Sequence, residues 1–426
     1  MSALHHHISV LRAAPLVRGM VAFGSAEAAT RVVRLGALLI VARRVTPEIL
    51  GAAALALSLF ELVRVLANVG IGQRLIVATS EELPALCRTA HGLFWTTCVS
   101  VAAIQLGVAG MLYAVFDLGE AAAMLAVLSL VYFAMPAGLV QIFLAMRENR
   151  MATIARITAT QNMADSLLTV ALVIVWPSAW AIVLPKLLAA PIWTIMARNA
   201  SSWRPGPAPS KAPIREFAVF GPSILGTEML GAARLHADKL VIGAMLGTEA
   251  LGIYYFAFNA GLGITQSFVA ACNLVVFPHL AKAKASHALV ELRKAFGTGL
   301  ALLAPVVAAQ ALLAPFYVPL VFGENWIAAT PHIVMLSCAA LPLYAGSIVG
   351  AAHRASGKPQ TETLITGFAS IAALGGLATG AGTGLAWACF GYGAGLAAIF
   401  IPVAIASLSG RSPNLRLIAD NKGYRT

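Results

Sequence analysis

The sequence predicts an all-α integral membrane protein with about twelve transmembrane helices. Of its 426 residues, 59% are hydrophobic and only 11% are charged, whereas an ordinary soluble protein carries about 25% charged residues. Apolar stretches long enough to cross about 30 Å of hydrocarbon recur along the chain. A soluble fold could not bury so much apolar surface, so the bilayer is the expected solvent for most of the chain.

The apolar stretches form two sets of six. The first set lies at about 19–41, 49–70, 90–114, 121–146, 157–176 and 179–197. The second set lies at about 217–245, 250–281, 297–321, 328–351, 363–380 and 383–409. Between them, prolines 205, 207, 209 and 213 exclude a regular helix and predict an extended spacer. We therefore expect an N-terminal six-helix lobe at 1–200, a cytoplasmic linker at 201–214 and a C-terminal six-helix lobe at 215–426.

The basic residues indicate the orientation of these helices. The net charge is +12, and most of the Lys and Arg residues fall in the tails and in the loops on one side, whereas Arg43 and Arg44 lie on the other side. Cytoplasmic loops are enriched in Lys and Arg, so both termini are expected in the cytoplasm. The basic residues do not cluster with interleaved aromatic residues, and nucleic acid is therefore not an expected partner.

A short internal repeat supports the division into two lobes. Residues 48–51 (Glu-Ile-Leu-Gly) with Ala56 recur as residues 249–252 (Glu-Ala-Leu-Gly) with Ala257. Each copy lies where the first outer loop of a lobe enters its second helix. The repeat is therefore expected to be parallel, with a pseudo-twofold axis along the membrane normal and a cavity between the lobes.

Charged residues within the spans are the candidates for function. There are eleven of them: Glu27, Arg31, Arg34, Glu61, Arg64, Asp165, Lys186, Glu228, Arg234, Asp238 and Lys239. An Arg, Lys or Asp at the centre of a membrane helix costs about 2.5–3.5 kcal/mol on insertion, so these residues are expected to pair or to face a wet cavity. Helical spacing places Glu61 with Arg64, and Arg234 with Asp238, on shared helix faces.

Two interpretations of these charges remain open. In the first, the bases line a cationic cavity that binds an anionic headgroup such as pyrophosphate. Its cations would be Arg31, Arg34, Arg64, Arg234 and Lys239. The acids would then serve in ion coupling or in charge pairing: Glu27, Glu61, Asp165, Glu228 and Asp238. In the second, the charges are neutralised pairs that hold helices together.

Signatures of soluble-type catalysis are missing from the sequence. It contains no H-E-x-x-H or G-x-S-x-G motif, and the glycines from Gly350 to Gly357 lack the spacing of a P-loop. The five cysteines form no C-x-x-C pair. We therefore expect no enzyme activity, no cofactor and no metal site.

Three segments resemble the Wzx-type polysaccharide flippases of the multidrug/oligosaccharidyl-lipid/polysaccharide (MOP) exporter superfamily. They are residues 42–51 followed by 70–72, residues 238–243 followed by 251–257 and 277–278, and residues 314–320 followed by 323–326. These segments belong to the scaffold of the family and carry little information about the substrate.

This resemblance implies export of undecaprenyl-pyrophosphate-linked oligosaccharide units across a bacterial inner membrane, for exopolysaccharide, capsule or O-antigen synthesis. The implied partners are the bilayer, the lipid-linked glycan, and a polysaccharide polymerase with its co-polymerase. The alternatives are a drug or metabolite exporter of the same superfamily and a membrane polymerase or ligase. Short outer loops argue against the last of these, because such enzymes usually carry a large catalytic outer loop.

Overall fold

The structure, a computed structural model, describes residues 15–206, 212–218, 221–263 and 287–410, together with positions 265, 266, 269, 276 and 280. Within these ranges every regular element is a helix. This agrees with the all-α fold expected from the sequence, in which the hydrogen bonds of each backbone segment are made within that segment, as a bilayer requires.

The helices are numbered here in chain order. They are α1 (Pro15–Arg44), α2 (Pro47–Arg64), α3 (Ile71–Val77), α4 (Leu83–Phe116), α5 (Gly119–Leu128), α6 (Val131–Ala134), α7 (Pro136–Arg147), α8 (Met151–Val175), α9 (Ala179–Arg198), α10 (Arg215–Ala218), α11 (Gly221–Ala257), α12 (Ala288–Tyr317), α13 (Thr330–Cys338), α14 (Ala340–Ala355), α15 (Pro359–Ala381) and α16 (Leu385–Leu408). Two π-helical turns, Phe258–Leu262 and Val318–Phe322, extend α11 and α12.

Over the described residues, nine helices are long and apolar enough to cross a membrane. A tenth span results if the segments Gly119–Ala134 and Pro136–Arg147, which meet at a bend of 56°, cross together. Part of the expected span at 250–281 lies outside the described residues. The protein is thus a multi-pass membrane protein, and the count of twelve helices stays a prediction.

The break between the expected spans at 217–245 and 250–281 occurs at Gly247. This residue has φ 84° and ψ −179° in the middle of α11. Glycine adopts this conformation without the steric penalty that a Cβ atom would introduce. The chain therefore turns between the two apolar stretches at a single residue, Gly247.

The chain divides into two compact units. The first comprises residues 1–45 and 52–236, and the second comprises residues 46–51 and 237–426. The division between them thus falls inside α11, and the first turn of α2 groups with the second unit. The lobe boundaries expected from the sequence, with a linker at 201–214, stay a prediction.

In the first unit, α1 packs along α8, α8 packs against α9, and α9 packs against α7. The chain that follows α9 is tied to the same unit by side chains. Gln141 Nε2 donates to the carbonyl oxygen of Trp203 at 3.2 Å, and Thr89 Oγ1 donates to that of Ala212 at 3.0 Å. The described parts of the linker are therefore fixed to the first unit by these two hydrogen bonds.

An ion-pair bridge also connects the segment after the linker, α10, to the first unit. Arg74 Nη2 donates to Glu82 Oε2 at 3.1 Å and to Glu216 Oε2 at 2.9 Å. The hydrogen bond from Arg74 lowers the pKa of the Glu82 carboxyl. The bridge connects α10 to the loop before α4, although the two segments are far apart in sequence.

In the second unit, α15 and α16 form the most extensive helix pair, and α13 and α14 pack against α16. The first turn of α2 crosses the segment that follows Gly247. Each of the two segments contributes one glycine of the sequence repeat to the crossing. A Cβ atom on Gly51 would collide with the carbonyl oxygen of Thr248, and one on Gly252 would collide with that of Pro47. The two copies of the repeat thus meet in a reciprocal contact that only glycine allows.

Candidate functional site

The first group of intramembrane charges, here called the N-terminal charge cluster, comprises Glu61, Arg64, Asp165 and Lys186. It lies in the first unit on helices α2, α8 and α9. Arg64 donates from Nε and Nη2 to Glu61 Oε2 at 2.9 and 2.6 Å. The pair that helical spacing predicted within α2 is therefore present.

Lys186 joins this pair to a third helix. Its Nζ lies 3.7 Å from Glu61 Oε1 and 3.5 Å from Asp165 Oδ2. The charges alternate through the cluster in the order Arg64, Glu61, Lys186, Asp165. Sequence reasoning placed Lys186 within a span but left it out of the candidate site, because its partners lie on helices that are distant in sequence.

The members of the cluster differ in exposure. The side chain of Arg64 is 47% exposed, whereas those of Glu61, Asp165 and Lys186 are 20%, 25% and 29% exposed. Arg64 is thus the most accessible cation of the cluster. A guanidinium presents five N–H donors in a planar fork, and the Nε and Nη2 donors that hold Glu61 form an edge of that fork which can bind either a carboxylate or a phosphate group.

The second group, the C-terminal charge cluster, comprises Asp238, Lys239, Tyr254 and Phe258 in the second unit. Lys239 Nζ lies 3.0 Å from Asp238 Oδ1, and Tyr254 OH donates to Asp238 Oδ2 at 2.8 Å. The Lys239 ammonium also lies 4.1 Å from the centroid of the Phe258 ring, a cation–π geometry. All the polar groups of this cluster are buried.

A π-helical turn shapes the surroundings of the C-terminal charge cluster. The turn spans Phe258–Leu262, and Gln310 Nε2 from α12 donates to the carbonyl oxygen of Ala260 at 2.5 Å. A π-turn leaves backbone carbonyls without their usual partners, and such turns often occur at functional sites. Here the amide of Gln310 supplies the missing donor beside Phe258.

The remaining candidate residues lie outside these two clusters as defined here. Arg31 is half-buried on α1, and Arg34 is exposed one turn further along. Glu228 and Arg234 are exposed on α11. The structure does not describe the side chain of Glu27. The structure thus brings together Glu61, Arg64 and Asp165 in one unit and Asp238 with Lys239 in the other.

No group of three or more His, Cys, Asp or Glu residues that could hold a metal ion occurs among the described residues. The two clusters instead offer cations in a membrane setting.

Residues 40–331 match the profile of a family described as "Polysaccharide biosynthesis protein". The chain belongs to this polysaccharide biosynthesis protein family. The match covers both charge clusters and most of the described helices.

Curated proteins similar to this family member are named for several different biosynthesis systems. The teichuronic acid biosynthesis protein TuaB of Bacillus subtilis is 26% identical over 34% of this chain and 30% of TuaB. The amylovoran biosynthesis protein AmsL of Erwinia amylovora is 26% identical over 40% of this chain and 44% of AmsL. The chain thus spans less than half the length of these two relatives. The lipopolysaccharide biosynthesis protein WzxC of Escherichia coli is 24% identical over 76% of this chain and 67% of WzxC.

Solved structures show the fold of this family member. The lipid II flippase MurJ in an inward closed conformation has a TM-score of 0.76 at 11% identity, over 94% of this chain and 90% of MurJ. An inward-facing multidrug resistance MATE transporter of the MOP superfamily has a TM-score of 0.71 at 14% identity, over 92% and 96%. The family match and the similarity to WzxC confirm the resemblance to Wzx-type proteins, and the solved structures show the fold alone.

Proposed function

We propose that this family member is a flippase. It translocates undecaprenyl-pyrophosphate-linked oligosaccharide units across the bacterial inner membrane, for exopolysaccharide, capsule or O-antigen synthesis. The observation that carries this proposal is the polysaccharide biosynthesis match over residues 40–331, on a chain with the fold of membrane transporters. A polysaccharide biosynthesis match on a transporter fold supports movement of a glycan rather than its synthesis.

The charges within the helices support this substrate class. A pyrophosphate that crosses a low-dielectric region needs fixed cations along its route, because the energy of an isolated charge rises steeply there. Arg64 offers a half-exposed guanidinium within α2, and Arg34 and Arg234 are exposed on their helices. We propose that Arg31, Arg34, Arg64 and Arg234 bind the pyrophosphate, and that Lys239 contributes from its buried position.

Alternating access coupled to an ion completes the proposal. Asp165, Glu228 and Asp238 are the acids proposed for coupling, with Glu27 and Glu61 as charge partners. Both termini lie in the cytoplasm in this scheme. The flipped unit is then taken up by a polysaccharide polymerase and its co-polymerase on the outer side.

A depletion strain tests the function. We expect loss of surface polysaccharide, together with accumulation of undecaprenyl-linked units that a membrane-impermeant oxidant cannot reach in spheroplasts, because the units remain on the inner leaflet. The matched control is a strain that lacks the downstream polymerase, in which the same units should be accessible to the oxidant. Plasmid-borne wild-type protein should reverse the phenotype.

The outcome also separates the alternatives. Accessible units after depletion would indicate a polymerase or ligase. Polymer of normal amount and length, in a strain with no second flippase, would reject the glycan substrate and leave a drug or metabolite exporter as the better interpretation.

A further inference from the structure

The N-terminal charge cluster is a chain of alternating charges that begins at its most exposed member. Arg64 bonds to one oxygen of the Glu61 carboxylate, Oε2. The other oxygen, Oε1, faces Lys186 Nζ at 3.7 Å. Both oxygens of one carboxylate are therefore directed at different cations.

An anion that enters this cluster reaches Arg64 first. A pyrophosphate competes with Glu61 for the same N–H donors, because guanidinium binds phosphate and carboxylate groups in the same bidentate geometry. Binding through Nε and Nη2, the two donors that hold Glu61, displaces the Glu61 carboxylate from Arg64.

The displaced carboxylate needs another cation. An unpaired carboxylate within a membrane helix is strongly unfavourable. Charge-assisted N–H···O bonds have lengths of about 2.7–2.9 Å, so a movement of about 1 Å brings Lys186 Nζ onto Glu61 Oε1. The flexible stem of lysine allows such a movement, and Asp165 at 3.5 Å keeps the ammonium on the required side.

We propose that Lys186 is a positioning residue for substrate binding, which takes over Glu61 when the pyrophosphate binds to Arg64. The inference rests on the proposed function, since it takes an isoprenyl pyrophosphate as the ligand. In this exchange the ligand replaces Glu61 on Arg64, and no carboxylate loses its partner.

Ligand binding to the purified protein in detergent tests the exchange, with farnesyl pyrophosphate as the probe. Lys186→Met should weaken binding by at least about tenfold, because binding then strands Glu61. Lys186→Arg should retain most of the affinity. Arg44→Gln is the matched control, an exposed cation near the end of α1 outside the cluster, and it should bind as the wild type does.

Two combined variants separate the exchange from simple neutralisation of Asp165. In Asp165→Asn with Lys186→Met, the pair of Lys186 and Asp165 is removed as a whole, yet Glu61 still lacks the Lys186 ammonium, while the electrostatic interaction of Glu61 with His236 is unchanged. Binding should therefore stay weak. Adding Glu61→Gln should restore it, since no carboxylate is left to be stranded.

The results have distinct meanings. Wild-type affinity in the first combined variant would overturn the inference, since Lys186 would serve only to neutralise Asp165. Failure of Glu61→Gln to restore binding would also overturn it.

Two further results separate the exchange from the proposed function. If wild-type protein does not bind farnesyl pyrophosphate at all, the proposed substrate class fails. If wild-type protein binds it and Lys186→Met binds it equally well, only the exchange fails. Thermal unfolding of each variant identifies any that misfold.

Discussion

Two lysines within the membrane helices carry the same charge in very different surroundings. The side chain of Lys186 is 29% exposed and bridges carboxylates from two other helices. The side chain of Lys239 is 5% exposed and lies between its sequence neighbour Asp238 and the ring of Phe258. The first lysine can change partners with little movement, whereas the second is held in place by its surroundings.

The buried pair gives a prediction about stability. Lys239→Met should destabilise the protein by about 3–5 kcal/mol, because the Asp238 carboxylate is then buried without its cation. The combined change Asp238→Asn with Lys239→Met should recover most of this loss. Thermal unfolding in detergent measures both variants.

A surface pair provides the control for this prediction. Lys294 Nζ lies 3.1 Å from Glu291 Oε1, with the lysine side chain 67% exposed, and Lys294→Met should cost at most about 1 kcal/mol. An unchanged unfolding temperature for Lys239→Met would contradict the buried-pair description. A combined variant that is stable but inactive in export would show that the pair of Asp238 and Lys239 serves transport as well as stability.

Sequence spacing predicted some of these pairs and not others. Glu61 and Arg64 are three residues apart on one helix, so their contact follows from helix geometry. Lys186 could not be assigned because its partners come from helix packing. Neighbouring residues of a helix do not normally face each other, and the sequence therefore gave no signal that Lys239 reaches Asp238. Arg234 shares a helical spacing with Asp238, yet the structure has Arg234 exposed and Asp238 buried.

At the scale of the elements, the two copies of the sequence repeat meet at the reciprocal contact of Gly51 and Gly252. Hydropathy alone could locate the spans on each side of it, because twenty or so apolar residues form a membrane helix in any context. It could not show that the two copies of the repeat touch each other. That contact depends on the absence of a Cβ atom at two glycines that are far apart in the sequence.

Alanine substitutions test this crossing. Gly51→Ala and Gly252→Ala should each destabilise the protein by about 1–3 kcal/mol, since the added methyl group meets backbone carbonyls that cannot rotate away. Membrane abundance and thermal unfolding measure the effect. Gly107→Ala is the control, because a Cβ atom at Gly107 in α4 would meet nothing within 4 Å. Equal behaviour of all three variants would contradict the close crossing.

At the scale of the whole molecule, charge and hydropathy predict the orientation of the chain. Gly119, Gly247 and Gly323 lie at breaks between helices where the sequence places outer loops, and Arg150 lies in a basic loop on the opposite side. The fold class follows from composition and the length of the apolar runs. The membership of the two compact units does not, because it depends on packing between segments distant in sequence.

Reporter fusions measure the orientation. Fusions at Gly119, Gly247 and Gly323 should report the periplasm, and those at Arg150 and at Pro207, a position outside the described residues, should report the cytoplasm. The reason is the concentration of Lys and Arg on one side. An inverted pattern would reject the topology, and a mixed pattern would reject the number of spans.

The make-up of the two compact units has a consequence for fragments of this chain. Residues 46–51 come from the first half of the sequence but group with the second unit, and residues 215–236 come from the second half but group with the first. Each half therefore lends the other a segment, as subunits do in a domain-swapped dimer. A chain cut within 201–214 should yield halves that are each incomplete when produced alone and that assemble when they are produced together.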